Sequence, residues 1–177
     1  PDKPMPHNWS VRNGQLHVEK GAGQLETKTT FKDFVFQLDI RTNPSDEHSH
    51  PNSGIFFRGN PGEFWTGYES QIRNEFQNND SAQPVDFGTG GLYFYHPARR
   101  VIPRDGQFFV KTIIARQRHI SIWVNGYLVT DFTDNRVEGT NARKEALLKQ
   151  GTLSLQAHDP TTNLDFRNLR ILELPYR

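Results

Sequence analysis

The sequence predicts a single all-β domain, a two-sheet antiparallel sandwich with one short helix. Three observations predict it. Short runs of alternating apolar and polar residues are divided by turn signals at fairly regular intervals, the rhythm of a sandwich or barrel. Aromatics make up 12% of the chain, with 13 Phe, which suits flat side chains packed on a pleated surface. Helical patterns do not alternate with strands, so a parallel βαβ architecture is not expected. The 177 residues fit one ordinary domain, 1–177, with a core of its own, and no repeat or low-complexity segment divides it.

The elements follow in order. Residues 9–11 and 15–19 form an opening strand pair around an Asn13-Gly14 turn. Residues 34–41 alternate cleanly, with Phe34, Phe36, Leu38 and Ile40 on one face and Gln37, Asp39 and Arg41 on the other. A polar loop at 43–51 leads to strands at 52–58 and 67–73. Residues 77–90, rich in Asn, Asp, Gly and Pro, form a loop. A short strand at 92–96 is closed by Pro97. Residues 108–116 and 120–124 form a hairpin, and Asn125-Gly126 turns the chain into a further strand at 127–132. The helix is expected over 141–150, with Ala142, Ala146, Leu147 and Leu148 apolar, Thr140 as N-cap and Gly151 as stop. Strands at 152–158 and 164–174 end the chain, the last with a bulge near Arg167-Asn168, because Phe166 and Leu169 both read as buried.

Charge excludes several partners. Lys+Arg total 21 and Asp+Glu 20, a formal net charge of +1, so neither nucleic acid nor an anionic membrane is expected. No apolar stretch approaches the roughly 20 residues of a membrane-spanning helix. Cysteine is absent, which removes disulfides, thiolate metal sites and a cysteine nucleophile. The chain opens on Pro1-Asp2-Lys3-Pro4 without a signal peptide, as expected of a form whose export signal has been removed.

Strand parity collects the chemistry. With Ile55, Phe57, Tyr68, Ile72, Leu92, Phe94, Leu153, Leu155 and Ala157 turned to the core, Asn52, Arg58, Glu69, Gln71, Tyr93, Tyr95, Gln156, His158 and Arg167 fall on the other side. A solvated sheet face usually carries Lys, Glu and Thr; this one holds amides, phenols, guanidinium, carboxylate and imidazole. Such a set hydrogen-bonds hydroxyls and stacks on a sugar ring. The competing account is that each residue merely keeps a half-buried strand polar on its outer face.

Six runs in this order carry a resemblance: Asn52-Ser53-Gly54-Ile55-Phe56-Phe57-Arg58, Gly67-Tyr68-Glu69-Ser70-Gln71-Ile72, Gly90-Gly91-Leu92-Tyr93, Trp123-Val124-Asn125-Gly126, Gly151-Thr152-Leu153-Ser154-Leu155-Gln156-Ala157-His158 and Phe166-Arg167-Asn168-Leu169-Arg170-Ile171. From about Trp9 to Leu174 the chain resembles the 3-keto-disaccharide hydrolase family, also known as DUF1080. The resemblance implies a concanavalin A-like lectin/glucanase jelly roll, an extracytoplasmic protein, and cleavage of glycosides already oxidised to a ketone at C3. The loops at 43–51 and 77–90 depart from the family pattern and bear on substrate identity.

Ordinary glycoside hydrolysis needs two carboxyl groups, about 5–5.5 Å apart for retention and wider for inversion. Here Glu69 is followed on its face by the neutral Gln71, so that chemistry is disfavoured unless Glu63, Glu75 or Asp86 comes in from a loop. A 3-keto sugar needs less. Its ketone acidifies the C2 hydrogen, so one base can remove it, the aglycone leaves, and water adds back. Glu69 or His158 is expected as base and Arg58 or Arg167 as enolate stabiliser, with Asn52, Gln71, Gln156 and Tyr95 positioning the ring and Tyr93 beside them. A divalent metal could replace the arginine as electrophile. His48 and His50 have the spacing of a metal clamp but lie between Pro44 and Pro51 in a loop. Phe64 and Trp65 could stack on a sugar at the cleft mouth, and Trp123 reads as structural. The alternative function is a non-catalytic, lectin-like carbohydrate-binding module on the same face.

Overall fold

A computed structural model describes residues 6–175. Eleven strands are formed: β1 (Trp9–Arg12), β2 (Gln15–Glu19), β3 (Gly23–Glu26), β4 (Phe34–Thr42), β5 (Ser53–Gly59), β6 (Tyr68–Ile72), β7 (Phe109–Arg116), β8 (His119–Val124), β9 (Tyr127–Thr133), β10 (Thr152–Ala157) and β11 (Asn163–Glu173). They make two antiparallel sheets. One has seven strands in the order β1-β2-β11-β4-β7-β8-β9, the other four in the order β3-β10-β5-β6. Among the described residues no helix is long and apolar enough to cross a membrane.

The core lies between the sheets. Strict alternation in β4 sends Phe34, Phe36, Leu38 and Ile40 inward to meet Ile55, Phe57, Tyr68 and Ile72 from the smaller sheet. Phe34 meets Phe57 edge-on at 5.9 Å, and Phe57 stacks on Tyr68 at 5.4 Å, so one aromatic column joins the layers. Both expected Asn-Gly turns form with left-handed φ at each residue, Asn13 and Gly14, then Asn125 and Gly126. The β11 bulge is where it was expected: the register with β4 shifts between Arg167 and Arg170, and Asn168 has φ 53°.

Some expectations fail. The segment 141–150 is not helical. One turn starts, with Glu145 N–H donating to Asn141 O and the Glu145 carboxylate accepting from the Thr140 and Asn141 amides. Tertiary bonds then claim the backbone. Ala146 N–H goes to Val137 O, Leu147 N–H to the Tyr68 hydroxyl, and Leu147 O to Arg58. The stretch 92–96 is a tight turn rather than a strand, with Phe94 at φ 71° and its ring exposed instead of in the core. Leu169 is likewise exposed, because the bulge at Asn168 turns it out. Strand β3, absent from the sequence reading, pairs with the outer edge of β10. Its GQLE run is too short and polar to signal itself.

Candidate functional site

The outer face of the four-stranded sheet holds the site. Register sets Glu69 beside Phe56, whose other neighbour is Ser154, and sets Gln71 beside Gly54; Gln24 lies beside Gln156. This face is not an open solvated surface. Every residue of β5 and β10 is buried, on both sides of the sheet. Loops roof it, leaving a cleft of about 350 Å³ lined by Phe56, Trp65, Glu69, Tyr93, Phe94 and Arg143 among others. Buried amides on its floor therefore need partners, which solvated side chains on an open strand face would find in water.

Glu69 is the centre of the floor. Its side chain leans across Gly54, where a Cβ would lie only 2.4 Å from Glu69 Oε1. Burial first, then the negative charge of Asp86, raises its pKa to about 7 against the pull of Lys111 and Arg143. Lys111 is wholly buried beneath β6, where its Nζ donates to Ser70 O at 3.0 Å and Gln71 O at 2.7 Å. Burial lowers its own pKa well below the usual value, with Glu69 opposing. Lys111 went unnoticed in the sequence, although its alternation with Phe109, Ile113 and Ala115 on β7 is the signal that could have found it.

His158 stacks on Trp65, ring centroids 5.7 Å apart and planes 17° from parallel, and Trp65 also lines the Glu69 cleft. Its Nδ1 lies 2.6 Å from Asp159 Oδ2 and 3.3 Å from Asn52 Nδ2. One nitrogen cannot donate to the first and accept from the second. The shorter, charge-assisted bond puts the proton on Nδ1 and the lone pair on Nε2. Burial pushes Asp159 up, but hydrogen bonds from Thr161 and His158 outweigh it and hold the carboxyl below its ordinary pKa, so the orienting charge stays in place.

Two buried side-chain oxygens on this face have no hydrogen-bond partner: Asn52 Oδ1, on a residue 6% exposed, and Gln156 Oε1, on a residue 2% exposed. An unsatisfied buried acceptor costs about 1–3 kcal/mol.

Over this geometry the relatives can be placed. A family model for the 3-keto-alpha-glucoside-1,2-lyase-like domain matches residues 2–172. The chain belongs to that family. No curated protein matches it. Among solved structures, the lyase-like domain is similar to a candidate glycosyl hydrolase from Parabacteroides distasonis, with TM-score 0.76, 21% identity, and coverage of 97% of this chain and 93% of that one. It is also similar to the carbohydrate-binding module CBM66 from Bacillus subtilis (TM-score 0.65, 14% identity, 92% and 89% covered). The β-glucanase of Bacillus licheniformis follows at TM-score 0.59, 10% identity and 96% and 84% coverage. These likenesses establish the lectin/glucanase jelly roll, and the family match makes the lyase-like domain carbohydrate-active.

Within the lyase-like domain the structure sorts the nine expected residues. Glu69, Asn52, Gln156 and His158 share the face, and Tyr93 and Tyr95 stand at the cleft wall. The Tyr95 hydroxyl is already taken, donating to Ala142 O. Gln71 is on the face, but its amide holds Asp86, with Nε2 2.8 Å from Oδ2.

Two arginines are elsewhere. Arg58 adopts φ 55°, which reverses the parity of β5 and swings the guanidinium inward. There it donates to Lys32 O, Gln117 O, Leu147 O and Asp33 Oδ1, and its side chain is wholly buried. It is a tie between loops, not a catalytic group. Arg167 lies on the outer face of the opposite, seven-stranded sheet, bonded to Asp39 at 3.1 Å and stacked on Phe108 at 3.8 Å.

Their place at the cleft falls to Arg143, which stacks on Phe94 at 4.0 Å and acts on the charge of Glu69. The expectation of a helix at 141–150 hid it. Asp159, one residue beyond His158, was missed because a lone Asp beside a His has no special spacing. The histidines of the 43–51 loop separate: His48 is exposed, while His50 Nδ1 bonds Asp105 at 2.7 Å. Among the described residues no group of three or more His, Cys, Asp or Glu side chains is placed to hold a metal.

Proposed function

We propose that the domain cleaves the glycosidic bond of 3-keto glycosides by removing the C2 proton, expelling the aglycone and adding water. The observation that supports this most is the pairing of an acid–base group of near-neutral pKa, Glu69, with a carboxylate-oriented imidazole, His158, on one roofed sheet face. A group with pKa near the working pH is partly protonated and partly ionised, so it can both give and take a proton. His158 Nε2 supplies the second exchange site. Arg143 is the cation available to the enolate, in place of the arginines expected from the sequence. Trp65, Tyr93 and Phe94 offer ring faces to the sugar, with Asn52 and Gln156 placed to position its ring.

The test is incubation of the full chain with 3-keto-trehalose, following release of the second sugar by chromatography against a heat-denatured blank. Release of glucose is expected. Saturable binding of the intact disaccharide without release would instead make the domain a lectin-like module.

A further inference from the structure

The loop after β6 holds a costly backbone in order to present one carboxylate. Asp86 and Phe87 are both left-handed, with φ 51° and 67°. Asp enters this region at modest cost, but a bulky aromatic does so rarely, and such residues persist only where the surroundings over-determine them. Here they do. Gly88 N–H donates to Val85 O and Ala98 N–H to Phe87 O, each at 2.9 Å, and the Phe87 ring packs on Tyr93 at 4.9 Å. A Cβ at Gly91 would come within 2.2 Å of Phe87 O, so the loop is fitted closely to its neighbour.

Gln71 then clamps Asp86 at two points, with Nε2 2.8 Å from Oδ2 and 3.1 Å from the backbone carbonyl. Its own Oε1 accepts from Ile72 N–H at 3.1 Å. The amide is spent on holding Asp86, and this explains why a neutral residue stands where a second acid would be expected. The second acid arrives from the loop instead.

We propose that Asp86 is a positioning residue for the reaction: held at two points by Gln71, the next residue on the Glu69 face of β6, it sets a carboxylate beside Glu69, so that Glu69 serves the leaving oxygen and His158 the C2 hydrogen. This rests on the reading of the site as one that cleaves 3-keto glycosides. The groups facing Glu69 are Asp86 and Tyr93 from the loop, Lys111 from β7 beneath and Arg143 across the cleft. Asp86 opposes the charged form of Glu69, and the two cations favour it.

The step balances without an oxidant or reductant. His158 Nε2 takes the C2 proton and the electron pair passes into the C3 enolate. Its return forms C1=C2 and breaks the C1–O bond, and the leaving oxygen takes the Glu69 proton. Water then adds at C1 and gives a proton to the Glu69 carboxylate, while His158 returns its proton to C2.

The experiment is a carboxyl ¹³C NMR titration of Glu69 in the full chain, comparing wild type with Asp86→Asn and assigning the resonance with Glu69→Gln. The Glu69 midpoint is expected to fall on the order of one unit in Asp86→Asn. The high-pH limb of 3-keto-lactose turnover should move down by the same amount. An unchanged midpoint overturns the proposal. A shifted midpoint in a chain that leaves 3-keto-lactose intact overturns the proposed reaction and leaves the Asp86–Glu69 coupling established. Gln71→Leu, which frees Asp86 without changing any charge, should lower the midpoint in part, and it decides the matter if Asp86→Asn does not fold.

Discussion

The Glu69 carboxylate occupies the space above Gly54: a Cβ built there would lie 2.4 Å from Oε1 and 2.9 Å from Cγ. The absence of a side chain on β5 is what lets the acid of β6 reach the middle of the floor. Gly54→Ala should displace the flexible end of Glu69 while the strands stay paired. Turnover should drop by roughly 10²-fold, the scale of a 1 Å misplacement, with the thermal midpoint little changed. Steady-state kinetics and a melting curve on the same sample check it.

Glu69 also makes stability fall with pH. Its pKa is about 7 folded against an ordinary 4.5, so the folded state holds the proton over that window and the unfolded chain does not. Its contribution is fully present below about pH 4.5 and is lost as pH rises through about 7. The difference corresponds to roughly 3 kcal/mol. Glu69→Gln should therefore be more stable than wild type at pH 8 and gain little at pH 4. Urea midpoints at both pH values measure this.

Much of this was readable in advance, and the failures share a cause. Alternation in β4, β6 and β10 placed Phe34, Phe36, Leu38 and Ile40 in the core and brought Glu69, Asn52, Gln156 and His158 to one face, because strand parity is a local rule. Arg58 escaped that rule through one left-handed φ, set by tertiary bonds to Lys32, Gln117 and Leu147 that no local pattern announces. Arg143 and Leu147 carried a good helical pattern, overridden by the same contacts. Asp86 was visible only as one of three loop acids, since no strand register extends into the 77–90 loop. Arg167 obeyed parity but belongs to the other sheet, which alternation alone cannot assign.

Arg58 marks the boundary between fold and function. Removing its guanidinium strands three backbone carbonyls and the buried Asp33 carboxylate. Arg58→Ala should cost about 3–5 kcal/mol, the range for breaking a buried ion pair. Denaturant unfolding should show the loss, and kcat per folded molecule should hold near the wild-type value.

Gln156 should behave in the opposite way. Its Oε1 has no partner within the protein, a cost to stability that an apolar side chain of similar shape removes. Gln156→Met should melt at the same temperature or higher, yet raise KM for the keto sugar by about tenfold, near 1.4 kcal/mol. Equal losses of stability and affinity would assign the amide to the fold instead.

The most direct measurement is release of glucose from 3-keto-lactose by wild type, Glu69→Gln and His158→Ala, each verified as folded. The account predicts turnover by wild type and a loss of about 10²–10⁴-fold in each variant, the usual share of a general acid or base. Turnover undiminished in both variants would contradict it.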